Sequence, residues 1–129
     1  MEGQNKKILL VEDDKNIREM YQMKLKMEGY EVITADDGKD ALELIKKEKL
    51  DLVLLDILLP KKDGFEVLEE VRQSKDEKIK NIPIIIVSNL SHFNDQQEAK
   101  KFAVFDYLVK AKVTPQEMVD KVNEALGKS

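Results

Sequence analysis

The polar side chains with the greatest chemical potential stand where short apolar runs end. Five of them come directly after four such runs: Glu12, Asp13, Asp56, Ser88 and Lys110. Three of these runs, at 8–11, 52–55 and 83–87, are unbroken over four or five residues, which is typical of strands covered on both faces of a parallel sheet. The carboxyl ends of parallel strands share one edge, so these five side chains are expected to converge there.

The types of these five residues indicate phosphoryl chemistry. Three carboxylates in one concavity repel one another and lose hydration unless a cation neutralises them. Magnesium suits a site of few carboxylates, whereas zinc is disfavoured at a site with so few protein ligands and neither cysteine nor histidine. A carboxylate beside a divalent ion, an ammonium and a hydroxyl has what is needed to accept a phosphoryl group. Taken one at a time the same residues are ordinary caps, turns or surface charges, and it is their coincidence that favours a site.

Five predicted strands alternate with five predicted helices. The strands are Ile8–Val11, Glu31–Ala35, Leu52–Leu55, Pro83–Val87 and Asp106–Val109. Inward helical faces are predicted from Ile17, Met20, Tyr21 and Leu25; from Ala41, Leu42, Leu44 and Ile45; from Phe65, Leu68 and Val71; from Phe93, Ala99 and Phe102 within 91–102; and from Met118, Val119, Val122 and Leu126. Helix starts are predicted at Asp14 and at the capping box Thr114-Pro115-Gln116-Glu117. The charged stretch 74–80 is expected to be irregular.

Composition limits the class of protein. A chain of 129 residues suffices for one domain with a real core, and a net charge of -4 with pI about 5.2 disfavours nucleic acid as a direct partner. Cysteine is absent, and neither an apolar signal core nor a membrane-length apolar run is evident. A cytoplasmic location without membrane contact is therefore expected.

The spacing of these residues resembles the receiver domain of two-component response regulators from Lys7 to about Leu126. Pro60 and the pair Asp63-Gly64 follow Asp56 by four, seven and eight residues, and Tyr107 precedes Lys110 by three. The resemblance implies an α/β fold: a flavodoxin-like, doubly wound, five-stranded parallel sheet of order 2-1-3-4-5 with five helices. We expect a single receiver domain over 1–129, with its core at about 7–126.

The resemblance also implies a role for each site residue. Asp56 would be the phosphoryl acceptor. Asp13, Asp56 and the backbone carbonyl of Leu58 would ligate Mg²⁺, for which Mn²⁺ can substitute, while Glu12 would act through water. The remaining implied roles are a hydroxyl switch, an aromatic switch and a phosphate-binding ammonium, at Ser88, Tyr107 and Lys110 respectively.

The implied function is a stand-alone signalling switch rather than an enzyme, with only weak self-phosphorylation and self-dephosphorylation. Its expected partners are a histidine kinase or phosphotransfer protein, or a small phosphodonor, and a downstream protein target that binds an altered face. Leu58 and Leu90 lie two residues beyond Asp56 and Ser88. Neither leucine can orient an attacking water, so a slowly hydrolysed phosphoryl state is predicted.

Three departures from the family pattern are evident, one of them the run Ala103-Val104-Phe105-Asp106 where many members have Gly-Ala-Asp-Asp before the tyrosine, and the other two directly follow site residues. Ala111 stands where the family commonly has a proline in a cis peptide after the lysine, and Asn89 stands where many members have a small residue. A cis bond without proline costs roughly 3–4 kcal/mol. The Lys110–Ala111 peptide is therefore either a cis bond imposed by the site or a trans bond with a different approach of Lys110.

Three other functions are compatible with parts of the pattern. A haloacid-dehalogenase-like phosphohydrolase also uses an aspartate nucleophile and magnesium, but it normally has a second aspartate two residues on, where this chain has Leu58. A flavodoxin-like electron carrier is disfavoured because no Ser/Thr-rich phosphate loop follows the first strand. A receiver-like module that binds partners without phosphorylation is disfavoured by the complete acidic pocket.

Overall fold

The computed structural model describes residues 5–128. Its centre is a five-stranded parallel sheet of order β2-β1-β3-β4-β5, which confirms the predicted topology. The strands are β1 Lys7–Val11, β2 Glu31–Ala35, β3 Leu52–Leu55, β4 Ile84–Ser88 and β5 Asp106–Val109. The outer positions of the predicted domain, residues 1–4 and 129, lie outside the described part.

The inner strands consist almost entirely of apolar residues because helices cover both faces of the sheet. Every residue of β3 and β4 is buried, whereas the edge strands β2 and β5 contain exposed or half-buried positions. This difference follows the sequence pattern, in which continuous apolar runs occur in buried parallel strands and alternation occurs at an edge.

Six α-helices lie within the described residues: α1 Lys15–Met27, α2 Gly38–Lys47, α3 Gly64–Arg72, α4 Glu77–Lys80, α5 Phe93–Lys100 and α6 Pro115–Ala125. Asp14 caps α1 as predicted, and Thr114 and Glu117 form the predicted capping box of α6. None of these helices has the length and apolar character needed to cross a membrane.

The short helix α4 corrects one prediction. Residues 74–80 were expected to be irregular because they are highly charged, yet four of them form a helical turn. The Asp76 side chain accepts a hydrogen bond from the Lys78 amide and thereby caps the first turn. Local capping rather than an apolar face accounts for this turn, since α4 buries none of its own residues.

The helices divide between the two faces of the sheet. On one face, α2, α3 and α5 contribute to a core that includes Ala41, Leu68 and Ala99. On the other, α1 and α6 contribute to a second core that includes Leu25 and Val122. This arrangement is the predicted doubly wound fold, and it leaves the carboxyl edge of the sheet free for the loops that carry the polar residues.

Two predicted anchor residues point outward instead. Met20 is 45% exposed, because the buried stripe of α1 runs through Tyr21 and Leu25. Phe93 is 72% exposed on the first turn of α5, and within α5 only Ala99 is buried. Phe102 is half-buried against the core just after the helix. The apolar anchoring of α5 is therefore weaker than expected.

Candidate functional site

Strand pairing brings the three carboxylates together. Val11 is paired with Leu55 in the sheet, so the residues that follow β1 and β3 are neighbours. The Asp56 amide donates to the Val11 carbonyl at 3.1 Å. Glu12, Asp13 and Asp56 each offer a carboxylate oxygen within 4.8 Å of the others. Glu12 and Asp56 are buried, whereas Asp13 is exposed.

Lys110 extends into this acidic group from the end of the edge strand β5. It begins a three-residue 3-10 turn after β5, and its Nζ lies 2.5 Å from Glu12 Oε1 and 2.5 Å from Asp56 Oδ2. Burial lowers the pKa of the ammonium, but its hydrogen bonds and attraction to Asp56 and Glu12 outweigh burial, so that the net pKa is raised. Lys110 therefore supplies a positive charge to two buried carboxylates.

Glu12 is held from two further directions. The Asp14 amide donates to Glu12 Oε2 at 3.0 Å. Arg18 Nη1 donates to the Glu12 backbone carbonyl at 3.0 Å. Burial raises the pKa of the Glu12 carboxyl, and the hydrogen bond from Lys110 works against that shift. Arg18 is not among the predicted site residues; a basic residue on the first turn of the helix after an acidic loop was the feature that could have indicated it.

Asp56 is oriented by the loop that follows it. Its Oδ1 accepts a hydrogen bond from the Leu58 amide at 3.1 Å, and its Oδ2 accepts from Lys110. The same loop closes through a 2.8 Å bond from the Gly64 amide to the Ile57 carbonyl. A Cβ at position 64 would lie 2.5 Å from the Asp56 carbonyl oxygen, so glycine permits this close approach. The Leu58 side chain is 55% exposed.

Ser88 and Tyr107 are linked through Leu90. Leu55 is paired with Ile86, so Asp56, which follows β3, and Ser88, which is the last residue of β4, lie at the ends of neighbouring strands. Ser88 is fully buried, and its Oγ accepts a hydrogen bond from the Leu90 amide at 3.2 Å. The Tyr107 hydroxyl donates to the Leu90 carbonyl.

Tyr107 itself is half-buried and packs against the core that contains α5. Burial, together with the nearby negative charges of Asp95 and Asp56, raises the pKa of its phenol to about 12. At neutral pH the hydroxyl therefore keeps its proton and can donate the hydrogen bond to Leu90.

The peptide between Lys110 and Ala111 is trans, since no cis peptide bond occurs within residues 5–128. Of the two alternatives left open by the sequence, the trans bond is the one observed. Lys110 nevertheless reaches both carboxylates, with the 3-10 turn changing the direction of the chain immediately after β5.

The three carboxylates fit a hard divalent cation. They offer closely spaced oxygen donors without histidine or cysteine, the donor chemistry that suits Mg²⁺. A second acidic group, Asp36, Asp37 and Asp40, is explained without an ion. Asp37 caps α2 through the Asp40 amide and forms an ion pair with Lys61 at 3.4 Å.

The fold and site define a doubly wound α/β protein with a lysine-bridged acidic pocket at the carboxyl edge of its sheet. Sequence comparison matches residues 8–123 to the response regulator receiver domain. The chain belongs to this family, and response regulator receiver domains are signalling proteins of two-component systems. The resemblance inferred from residue spacing is confirmed.

Individual relatives agree with this assignment. The chain is 36% identical over 129 residues to the probable transcriptional regulator ycf27 of Porphyra purpurea, with all of this chain and 51% of the relative covered. It thus spans about half the length of that relative. A putative response regulator from Chloroflexus aurantiacus J-10-fl is 32% identical, with a TM-score of 0.87 and coverage of 97% of this chain and 100% of that chain.

A further structural neighbour contains a metal ion. The receiver domain of a sensor histidine kinase from Pseudomonas aeruginosa PAO1 is 26% identical, with a TM-score of 0.85 and coverage of 97% of this chain and 100% of that chain. Its structure contains a magnesium ion coordinated in the active site cleft.

Proposed function

We propose that this chain is a phosphorylation-controlled switch that accepts one phosphoryl group on Asp56. The observation that carries the proposal is the position of the Lys110 ammonium, 2.5 Å from both Glu12 and Asp56 in a buried acidic group. A cation held beside a carboxylate nucleophile can neutralise the oxygens of an incoming phosphoryl group.

In the proposed transfer, an Asp56 carboxylate oxygen forms a bond to phosphorus as the bond from phosphorus to the donor breaks. The donor is a phosphohistidine of a kinase or phosphotransfer protein, or a small acyl phosphate, and it leaves with the bonding electron pair. Lys110 stabilises the phosphoryl oxygens, and the Ser88 hydroxyl hydrogen-bonds one of them. The acyl phosphate so formed is later hydrolysed by water, with weak help from the chain itself.

The carboxylate arrangement supports a magnesium requirement. Asp13, Asp56 and the Leu58 carbonyl would hold Mg²⁺, with Glu12 acting through water, and Mn²⁺ can substitute because it also prefers oxygen ligands. The bound ion would supply positive charge to the phosphoryl oxygens. The magnesium in the cleft of the Pseudomonas neighbour supports this assignment by similarity.

The proposed signal leaves the site through Ser88 and Tyr107. If phosphorylation draws the Ser88 hydroxyl toward Asp56, its hydrogen bond with the Leu90 amide weakens. The Leu90 carbonyl also accepts a hydrogen bond from the Tyr107 hydroxyl. A shift of Leu90 can therefore move the aromatic ring and the weakly anchored helix α5. A difference of a few kcal/mol between two arrangements is enough to shift their populations strongly. A downstream protein would bind the altered face formed by α5, β5 and α6.

Intact mass after incubation with acetyl phosphate and Mg²⁺ tests the acceptor. We expect one added phosphate on the wild type and none on Asp56→Asn or after chelation of the metal. Asp36→Asn is the matched control because it changes an exposed aspartate after β2; it should be labelled like the wild type. Equal labelling of Asp56→Asn would refute the assignment, and absence of labelling in the wild type would favour a phosphorylation-independent binding module.

Amide hydrogen exchange with and without beryllofluoride, a phosphoryl mimic, tests the switch. We expect the largest differences across residues 88–110, with no such differences in Asp56→Asn, where the mimic lacks its attachment point. Unchanged exchange across this segment in the wild type would show that the signal takes another route.

Two features of the sequence favour the receiver function over the alternative functions and partners. Leu58 occupies the position where a haloacid-dehalogenase-like phosphohydrolase normally has its second aspartate, which supports a switch over a dedicated hydrolase. The net charge of -4 supports a protein rather than a nucleic acid as the direct partner of this domain.

A further inference from the structure

A hydrogen bond joins the loop after Ser88 to the loop after Lys110. The Ala111 amide donates to Asn89 Oδ1 at 2.9 Å, across 22 residues of sequence. Asn89 follows the buried hydroxyl directly, and Ala111 follows the ammonium directly. The bond therefore connects the two loops that carry these two candidate site residues, at the ends of the neighbouring strands β4 and β5.

We propose that Asn89 is a positioning residue that holds the Lys110 backbone so that the ammonium reaches the phosphoryl oxygens. This inference rests on the proposed role of Lys110 in phosphoryl transfer. Asn89 acts through the Ala111 amide and needs no contact of its own with the phosphoryl group.

Lys110 needs such a restraint because of where it lies. Its backbone belongs to an irregular segment, a three-residue 3-10 turn that follows the edge strand β5. Its ammonium is carried on a flexible four-carbon stem, yet must stay within 2.5 Å of two carboxylates. A fixed backbone at the base of a flexible side chain reduces the entropy lost in holding that geometry.

The loop after Ser88, which carries Asn89, is itself well anchored. Ser88 ends a fully buried strand. Two residues further on, the Leu90 amide donates to Ser88 Oγ and the Leu90 carbonyl accepts from the Tyr107 hydroxyl. Asn89 lies between these two anchored residues and is exposed, so its side chain is free to cross to Ala111. A shift of Ser88 or Leu90 on phosphorylation would consequently also displace the loop after Lys110, through the bond from the Ala111 amide to Asn89.

The departures from the family pattern at positions 89 and 111 thus complement each other. Proline has no amide hydrogen, so the bond to Asn89 requires a different residue at position 111. A glycine or alanine at position 89 would lack the acceptor. Asparagine and alanine together provide the restraint between the two loops.

Three variants of the full chain test this role, each compared with the wild type in about 0.5 M salt to screen added charge. Asn89→Leu keeps the branched shape but removes the acceptor, Asn89→Asp keeps an acceptor oxygen, and Asn94→Leu is a control at an exposed asparagine on α5. The measurements are the rate of labelling by acetyl phosphate, the Kd for Mg²⁺ by titration calorimetry, and the exchange rate of the Ala111 amide.

We expect Asn89→Leu to slow labelling by about threefold to tenfold, the range set by loss of one hydrogen bond. Its Kd for Mg²⁺ should stay within about twofold of the wild type, because the carboxylates are positioned by β1 and β3 rather than by Asn89. Exchange of the Ala111 amide should accelerate. Asn89→Asp should restore labelling and protection, and Asn94→Leu should match the wild type in all three measurements.

The possible failures are distinguishable. A wild type that is not labelled overturns the proposed function and the role of Asn89 with it. A labelled wild type with an equal rate in Asn89→Leu overturns only the role of Asn89. Parallel losses of labelling and Mg²⁺ affinity, or no rescue by Asn89→Asp, would show a general structural effect and also overturn it.

Discussion

Replacement of Lys110 by methionine should destabilise the metal-free protein at neutral pH. Methionine keeps an apolar stem of similar length but removes the ammonium. Glu12 and Asp56 would then be 2% and 4% exposed without the cation that now lies 2.5 Å from each. Two neighbouring buried carboxylates repel each other and have lost most of their hydration.

The size of the effect follows from opposing energies. An ion pair with its charges about 4 Å apart contributes roughly 4 kcal/mol at an effective dielectric constant of 20, so two pairs contribute about 8 kcal/mol. Desolvation of the ammonium costs several kcal/mol and offsets more than half of that gain. We therefore expect the free energy of unfolding to fall by about 3 kcal/mol, the lower end of the range for removing one partner of a buried pair.

Urea unfolding followed by circular dichroism, with a chelator present, measures this loss. Lys112→Met is the matched control, since Lys112 is exposed two residues further on and its replacement should change stability by less than about 0.5 kcal/mol. Added Mg²⁺ should reduce the Lys110→Met deficit because a divalent cation can balance the same carboxylates.

The deficit should also depend on pH. Burial raises the pKa of Glu12 above its ordinary value of 4.5, and loss of the Lys110 hydrogen bond raises it further. Above pH 4.5 the native state then binds a proton that the unfolded state does not, so stability increases as pH falls through the raised pKa toward 4.5. The deficit should be largest near pH 7. Wild-type stability in Lys110→Met at pH 7 without metal, or a loss insensitive to both pH and Mg²⁺, would refute this reasoning.

Three further outcomes are expected. Leu58→Asn combined with Leu90→Glu should accelerate decay of the phosphorylated protein by up to about 10²-fold with little change in its formation, as followed by intact mass; an unchanged decay would mean that the lifetime is set elsewhere. The raised pKa of Tyr107, about 12, contributes stability below pH 10 that is lost as pH rises toward 12, so Tyr107→Phe should lose less stability than the wild type over this interval in urea unfolding. Ala103 has φ of 55°, so Ala103→Gly should raise the free energy of unfolding by about 1 kcal/mol, and a decrease would show that the left-handed backbone is not strained there.

The sequence by itself determined the order of the five strands and the five longer helices, and which polar residues stand where the strands end. Continuous apolar runs mark β3 and β4 because strands buried on both faces need no alternation. Side chains that cap their own helix, such as Asp14 and Thr114, act within three residues and can be read locally. Parallel pairing then places Glu12 and Asp56 side by side, since they follow neighbouring strands that end at the same edge of the sheet.

Only the tertiary structure decided the contacts that depend on how separate elements pack. The outward position of Phe93 depends on how α5 lies on the sheet, and apolar spacing alone predicted the opposite. The trans peptide after Lys110 and the bond from Ala111 to Asn89 depend on two loops 22 residues apart. The local sequence pattern does not predict such geometry. It indicates which residues prefer burial or a cap, but not the distances between loops that meet only after the chain has folded.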